Sequence, residues 1–178
     1  MRVASGLVES RGTPGVLWMH NDSGDGNRLF AVGTDGAQLG VFELDGGRPR
    51  DWEDIAVGPG PDPARNYLYI GDVGDNFLAR ANIRMRRLPE PVVPVDDAPF
   101  ALEIAGAESF TLVYPDGAHN CETLLVDPRS GDVYVVVKSG DGASPVYRAA
   151  APLAPNAVVI LEHVADLQFG RDPLPGNP

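Results

Sequence analysis

The chain has few cysteines, few basic residues and no long apolar run. Its 178 residues include one cysteine, Cys121, so an internal disulfide cannot form and the redox compartment stays open. Fourteen Lys and Arg residues stand against 25 Asp and Glu, and the net charge of −11 argues against nucleic acid as a partner. The longest apolar runs are far too short for a membrane-spanning helix.

Signals for helices and for export are also missing. No window resembles an amphipathic helix of useful length, and the Ala-rich stretch Tyr147–Ala154 is bracketed too tightly by prolines. The residues after Met1 lack the apolar block of a signal peptide. We therefore expect an exported form to carry a leader that is not in the printed sequence, and a cytoplasmic location stays open.

Glycine and proline, by contrast, are abundant. The 21 Gly and 17 Pro residues are scattered along a chain that is 43% apolar, which is typical of a globular protein built from short strands and tight turns. We predict one all-β domain over residues 1–170, followed by a flexible tail over residues 171–178.

Three segments share one pattern, in which an apolar strand leads into a Gly-Asp turn. They are Val16-Leu-Trp-Met-His-Asn-Asp-Ser-Gly-Asp25, Tyr67-Leu-Tyr-Ile-Gly-Asp-Val-Gly-Asp75 and Val133-Tyr-Val-Val-Val-Lys-Ser-Gly-Asp141. A second element precedes two of them, as Asp51-Trp-Glu-Asp-Ile-Ala-Val-Gly-Pro59 and Asn120-Cys-Glu-Thr-Leu-Leu-Val-Asp-Pro128. Glu53 and Glu122 hold matching positions in this element. Repetition at this period indicates a repeat architecture.

The remaining apolar segments complete four strands in each repeat. They are Ser5–Ser10, Arg28–Val32 and Gln38–Leu44, then Ile83–Leu88 and Ser109–Tyr114, then Val146–Arg148 and Val158–Val164. This pattern predicts a β-propeller of about three four-stranded antiparallel blades, over residues 4–45, 51–115 and 119–167. Pro89–Ala107 is interpreted as an inserted loop. A plain β-sandwich is the alternative fold.

Three stretches resemble a group of bacterial, often exported, β-propeller proteins that lie near the phytase-like and SMP-30/gluconolactonase-like six-bladed propellers. They are Leu17-Trp-Met-His-Asn-Asp-Ser-Gly-Asp25, Asp51-Trp-Glu-Asp-Ile-Ala56 and Tyr67-Leu-Tyr-Ile-Gly-Asp-Val-Gly-Asp-Asn76. The resemblance implies an extracellular or periplasmic location. It also implies that this chain is about half of a six-bladed ring, either a fragment or one half of a homodimer that closes the ring.

In a blade, the start of the first strand and the loop between the second and third strands emerge on the same face. We therefore expect a shared acidic face to which Asn21, Asn76, Lys138 and Asp141 also belong, and whose predicted metal ligands are Asp22, Asp25, Glu53, Asp54, Asp72, Asp75 and Glu122. Crowded carboxylates repel one another unless a cation intervenes, and oxygen donors of this kind suit Ca²⁺, with Mg²⁺ or Mn²⁺ as alternatives.

Several of these residues have simpler interpretations. The run Asn21–Gly26 lacks the flanking helices and the final glutamate of an EF-hand, so an Asx-rich turn is the more economical interpretation. His20 and Glu122 are candidate general bases, and His119, near Glu122, is a further one. Cys121 is expected in the core, and Ser23 does not sit in a nucleophile elbow.

Three functions compete at this point. The first is a binding module whose acidic, Ca²⁺-binding face takes a small-molecule or protein ligand. The second is a metal-dependent hydrolase of phosphoesters or lactones, against which the scarcity of basic residues counts because only Lys138 and Arg80 could hold a phosphate. The third is an inactive fragment of a larger enzyme.

Overall fold

The computed structural model describes residues 4–140 and 142–169, so Asp141 and the predicted tail over residues 171–178 lie outside the described part. The described residues form strands and one short 3₁₀ turn, Val95–Asp97, and they contain no α-helix. Within them, no helix has the length and apolar character that a membrane span requires. The strands are β1 Ala4–Glu9, β2 Val16–Asn21, β3 Arg28–Gly33, β4 Gln38–Leu44, β5 Trp52–Pro59, β6 Asn66–Asp72, β7 Ile83–Pro89, β8 Phe100–Ile104, β9 Glu108–Val113, β10 Cys121–Val126, β11 Val133–Val137, β12 Ala143–Ala149, β13 Val158–Ile160 and β14 Glu162–Gln168.

The strands form three sheets that follow one another along the chain. The first sheet has the order β1-β2-β3-β4-β8, the middle sheet β5-β6-β7-β9-β13 and the third sheet β10-β11-β12-β14. Four strands of each sheet pair antiparallel, namely β1-β2-β3-β4, β5-β6-β7-β9 and β10-β11-β12-β14, while β8 and β13 pair in parallel with β4 and β9. The all-β prediction is confirmed, with three sheets of four or five strands.

Two segments differ from the prediction. Pro89–Ala107, interpreted as a loop, contains β8, which leaves the middle sheet and pairs with the outer strand of the first sheet. Val158–Val164, interpreted as one strand, is divided at the buried Leu161 into β13 and β14, which belong to different sheets. Local composition indicates extended backbone but not which sheet supplies the partner, so this exchange of strands was missed.

The middle sheet is buried on both faces. One core lies between the first and middle sheets and includes Trp18, Phe42 and Ile70, and the other lies between the middle and third sheets and includes Phe110 and Val135. Accordingly β6 is almost continuously buried, whereas β11 alternates between buried and half-buried residues because only one of its faces packs.

The first strands of the three sheets, β1, β5 and β10, lie next to each other, with β5 between the other two. Ser5 Oγ donates a hydrogen bond to the carbonyl oxygen of Glu53 at 2.8 Å, and the amide of Leu124 donates to Asp54 Oδ2 at 2.8 Å. These contacts hold the beginning of β5 against both neighbours. The residues at these strand starts are therefore brought together from all three sheets.

Candidate functional site

Three carboxylates converge where β5 begins. Asp22, Asp51 and Glu53 each offer one oxygen, and these oxygens all lie within 4.8 Å of one another. Two oxygens bound to Ca²⁺ at 2.3–2.6 Å can be up to about 5 Å apart, so the spacing suits a shared cation. Asp22 comes from the loop after β2 and the other two from the start of β5, so two sheets contribute. We call these three residues together with Glu122 the carboxylate group.

Glu122, at the start of β10, brings the third sheet into the carboxylate group. The pKa of Glu53 is raised to about 8, first because its carboxyl is partly buried and then because Glu122, Asp51 and Asp22 repel its negative charge. A protonated Glu53 can also donate a hydrogen bond to the Glu122 carboxylate. Near neutral pH, Glu53 therefore holds a proton that a cation would displace.

The local sequence explains why Asp51 and Glu53 face the same way. Residues two apart in an extended segment share a side, and Trp52 between them is buried on the opposite side against the first core. Burial also raises the pKa of Asp51, with a further contribution from Asp22. The backbone of Gly74 passes so close that a Cβ at this position would collide with the carboxylates of both Glu53 and Asp51. Glycine at position 74 therefore lets the loop after β6 approach the group.

The loop after β2 carries Asp22 directly beside Asn21. Asn21 is only 4% exposed, and its Nδ2 donates a hydrogen bond to Asp25 Oδ2. Its Oδ1 is buried and accepts no hydrogen bond within the described part of the chain. A buried carbonyl oxygen without a donor carries a free-energy penalty, and it is of the donor type that Ca²⁺ accepts.

Lys138 and Asn120 contact the carboxylate group from the third sheet. Lys138 Nζ lies 3.4 Å from Glu122 Oε1, in an exposed ion pair. Asn120 Nδ2 donates to Glu122 Oε1 at 3.0 Å and to Asn76 Oδ1 at 3.2 Å, and Asn120 Oδ1 accepts from the amide of Asp75 at 2.7 Å. Asn120 thus fastens the loop after β6 to Glu122. Arg80 also acts on Asp51, but it is paired with Asp72, so these two cations do not balance the four carboxylates.

Three of the predicted ligands have other contacts. Asp25 is ion-paired with Arg28. Asp72 accepts the amides of residues 50 and 51 and lies 3.2 Å from Arg80 Nη1. Asp75 accepts the amides of residues 79 and 80. These carboxylates hold the loops in place, and protein donors already compensate their charge.

Asp54 and His20 lie behind the carboxylate group, towards the cores. Asp54 accepts the amides of Ile55 and Leu124, and burial raises its pKa. His20 has no exposed surface and contacts the ring edge of Trp52, and burial lowers its pKa. Its Nδ1 lies 2.9 Å from the carbonyl oxygen of Asn21, while its Nε2 has no partner among the described residues. A base role for His20 towards a dissolved substrate therefore finds no support.

His119 belongs to a separate aromatic cluster. Tyr147 donates a hydrogen bond to Asp116 Oδ2 at 2.6 Å, and His119 Nε2 lies 3.1 Å from the same hydroxyl and 3.0 Å from Asp116 Oδ1. Cys121 is buried next to this cluster, and burial raises the pKa of its thiol to about 12. The thiol is therefore protonated at neutral pH, in agreement with the predicted core position.

The sequence predicted Asp22, Glu53 and Glu122 as ligands, but it did not predict Asp51. It also did not predict that Gly74 lets the loop after β6 approach the group. The signal for Asp51 was its two-residue spacing from Glu53 in an extended segment. No local signal marks Gly74, because its role depends on how two loops meet. A depression of about 440 Å³ beside the group is lined by Asp51, Gly74 and Arg80 among others. It can admit water or a small ligand to the carboxylates.

A scan against protein-family models and a search of curated proteins both find no match for this chain. The case for a function therefore rests on the arrangement of the residues themselves.

Proposed function

We propose that this chain is a β-propeller-type binding module whose carboxylate group holds a divalent cation, Ca²⁺ in the first place. The propeller assignment is supported by three successive sheets, each built on four antiparallel strands, whose first strands are neighbours. In a propeller, the first strands of the blades surround the axis. The cation assignment is supported by oxygen donors alone, which favours Ca²⁺ or Mg²⁺ over softer metals. A bound cation would leave some positions for water or for an oxygen of the ligand.

One observation carries this proposal: oxygens of Asp22, Asp51 and Glu53 lie within 4.8 Å of one another. Glu122 from the third sheet lies beside Glu53, whose pKa is raised to about 8. Like charges destabilise the fold when they are held together without a counter-charge. Among the described residues, Lys138 forms an exposed ion pair with Glu122. Arg80 acts on Asp51 as well, but its guanidinium is already paired with Asp72. A divalent cation would remove this repulsion, and the free energy gained would appear as affinity.

Calorimetric titration of the chelator-treated protein with Ca²⁺, and separately with Mg²⁺, tests the proposal. At pH 8 we expect saturable Ca²⁺ binding that Glu53→Gln weakens at least about tenfold, because it removes a charged ligand. Glu103→Gln is the matched control, since Glu103 is exposed on β8, and its binding should equal that of the wild type. Absence of saturable heat with either cation would refute the proposal.

A screen of phosphate esters and lactones with the cation-loaded protein separates the module from the hydrolase. Binding without turnover supports the module. Turnover that both Glu53→Gln and Glu122→Gln abolish would favour a metal-dependent hydrolase instead.

Two further expectations remain predictions. A homodimer that closes the ring is favoured by Leu7 and Leu125, which lie on β1 and β10 and are 57% and 52% exposed. Sedimentation mass tests that dimer. An extracellular or periplasmic location follows only from the resemblance described above.

A further inference from the structure

A further cavity lies on the Trp52 side of the start of β5, away from the side that carries the carboxylate group. Its volume is about 240 Å³, and its lining includes Trp52 and three arginines, Arg48, Arg84 and Arg86. The whole chain has only 14 Lys and Arg residues against 25 Asp and Glu. A small cavity lined by three arginines of so acidic a chain is therefore a candidate site for an anion.

The pairing of β7 places two of these arginines on one face of the middle sheet. Arg86 pairs with Ile70 of β6, and Arg84 lies two residues away on the same strand, so all three share a face. Ile70 belongs to the core between the first and middle sheets, so this face is turned toward the first sheet. Arg87, the next residue along β7, lies on the opposite face, where Glu108 pairs with it.

The segment between β4 and β5 supplies the third arginine and is held in place on both sides of it. Before Arg48, Asn27 Nδ2 donates hydrogen bonds to the carbonyl oxygens of residues 46 and 47 at 3.1 and 3.0 Å. After it, the amides of residues 50 and 51 donate to Asp72 Oδ2 and Oδ1 at 3.2 and 3.0 Å. The backbone that carries Arg48 is therefore fixed by contacts within the chain.

Arg86 is packed against the same segment. Its Nη1 donates to the carbonyl oxygen of Asp45 at 2.8 Å. Its Nη2 lies so close to the backbone of Gly46 that a Cβ at this position would collide with it. Gly46 has a φ of 96°, which other residues rarely adopt. The guanidinium is thus positioned by backbone groups and not by a carboxylate.

The described carboxylates compensate these arginines only in part. Within residues 4–140 and 142–169, none of the three forms an ion pair with a carboxylate, whereas Arg80 and Arg87 do. Burial lowers the pKa of Arg86, Asp45 and Asp72 raise it, and Arg84 lowers it because it repels the positive charge. Asp45 Oδ2 also accepts the amide of Gly106 at 3.1 Å, and Asp72 is shared with Arg80. Four arginines, counting Arg80, therefore stand against two aspartates, an excess of two positive charges.

Guanidinium groups and an excess of two charges suit a phosphate group in particular. Each guanidinium presents a planar fork of N–H donors that matches two oxygens of a phosphate. Free phosphate or a phosphomonoester carries about 1.5–2 negative charges at neutral pH, whereas a phosphodiester carries one. The cavity is smaller than the range of about 300–1,000 Å³ that is typical of drug-sized ligands. It therefore has room for the phosphate group and few further atoms.

We propose that Arg48, Arg84 and Arg86 bind a phosphate dianion, either free or as the terminal group of a small phosphomonoester. Ser109 pairs with Arg86 across β7 and β9 and also lines the cavity, so its hydroxyl adds a further donor. The first sheet contributes through the segment after β4, and the middle sheet through β7 and β9. The site does not depend on a cation in the carboxylate group.

Titration calorimetry of the cation-free protein with inorganic phosphate, and separately with glycerol 3-phosphate, tests this inference at pH 7.5. We expect saturable binding with a Kd on the order of 10⁻⁴ M. Tighter binding of glycerol 3-phosphate would identify a monoester as the source of the group, and tighter binding of inorganic phosphate would identify the free ion. Dimethyl phosphate has a similar shape but a single charge, and it should bind at least about tenfold more weakly.

Variants of the chain complete the test. Arg48 and Arg84 are exposed, so Arg48→Ala and Arg84→Ala spare folding, and each should weaken phosphate binding at least about tenfold. Arg65→Ala removes the same charge from the exposed turn between β5 and β6 and should leave binding unchanged. Three results would each overturn the proposal: no saturable heat up to about 20 mM phosphate, equal binding of dimethyl phosphate, or a loss in Arg65→Ala equal to that in Arg84→Ala.

Discussion

Side-chain charges are compensated to different degrees at the start of β5 and farther along the middle sheet. At the start, Asp22, Asp51 and Glu53 lie close together and Glu122 lies beside Glu53. The nearby cations among the described residues are the exposed Lys138 and Arg80, which is also paired with Asp72. Farther along, the buried Arg87 lies 2.7 Å from Glu108 and 4.9 Å from the centre of the Phe110 ring. The fold itself compensates the second charge. The charges at the start of β5 are compensated only in part by the described residues, and this difference is the basis of the proposed cation site.

The largest effect is expected at the compensated charge. Arg87→Ala should lower the free energy of unfolding by about 3 kcal/mol, because it leaves Glu108 without its partner and removes the guanidinium packed among aromatic rings. Chemical denaturation measures this. Arg84→Ala, at an exposed position on the same strand, should change stability by less than about 0.5 kcal/mol. Equal effects of the two variants would remove the contrast.

The adjacent residues Glu53 and Asp54 sharpen the comparison. Asp54→Ala should lower the free energy of unfolding by about 2 kcal/mol. The amides of Ile55 in the middle sheet and Leu124 in the third sheet would lose their acceptor. Glu53→Gln at pH 8.5 should instead stabilise the cation-free protein by about 1 kcal/mol, an estimate reduced for solvent screening at a partly exposed group. Destabilisation by both variants would mean that neighbouring groups of the chain also compensate the negative charge of Glu53.

Stability of the cation-free protein should depend on pH through Glu53. The folded pKa of about 8 lies above the ordinary value of 4.5, so between these values the folded state binds more protons than the unfolded state. The free energy of unfolding therefore falls as pH rises through this window, and the penalty is complete above pH 8. Thermal melts from pH 5 to 8.5 should show this slope in the wild type and a smaller one in Glu53→Gln. Ca²⁺ at about 5 mM should restore stability at pH 8.5 in the wild type alone.

The smallest effect is expected at Gly74. Gly74→Ala puts a methyl group against the carboxylates of Glu53 and Asp51, whose side chains can rotate away. We expect the affinity for Ca²⁺ to fall by less than about tenfold with little change in stability. Titration calorimetry with Gly47→Ala as control, at a glycine with open space around it, would show this difference. A loss equal to that of Glu53→Gln would indicate that the loop after β6 supplies a ligand directly.

The sequence was sufficient for most of the strands, but not for β8 or for the division of Val158–Val164 into β13 and β14. Val133–Val137 was visible as a short run of residues with high β-propensity before a Gly-Asp turn, and Glu53 and Glu122 were visible as matching positions of a repeated element. The positions of β8 and β13 were not predictable in this way. An extended segment carries no local mark of the sheet it will join, and both strands cross to a neighbouring sheet.

The carboxylate group was predictable in outline and not in detail. Repetition placed Glu53 and Glu122 at equivalent strand starts, and the expected blade geometry placed the loop of Asp22 on the same face. The structure brings these residues together. It could not distinguish them from Asp25 or Asp72, because whether a carboxylate meets Arg28 or Arg80 depends on loop geometry. His20 was a candidate base from its sequence position alone. Its complete burial could not be predicted, because it depends on packing against Trp52.

The exchange of β8 and β13 between sheets has a consequence for how the chain acquires its structure. The first sheet is not complete until residues 100–104 have been made, long after β4, and the middle sheet likewise waits for residues 158–160. Each of the first two sheets contains a strand that lies between strands of the following sheet in the chain, so these sheets cannot unfold independently. We therefore expect one cooperative unfolding transition, whereas independent modules would give several. Cutting the gene between repeats would remove a strand from the unit that is kept.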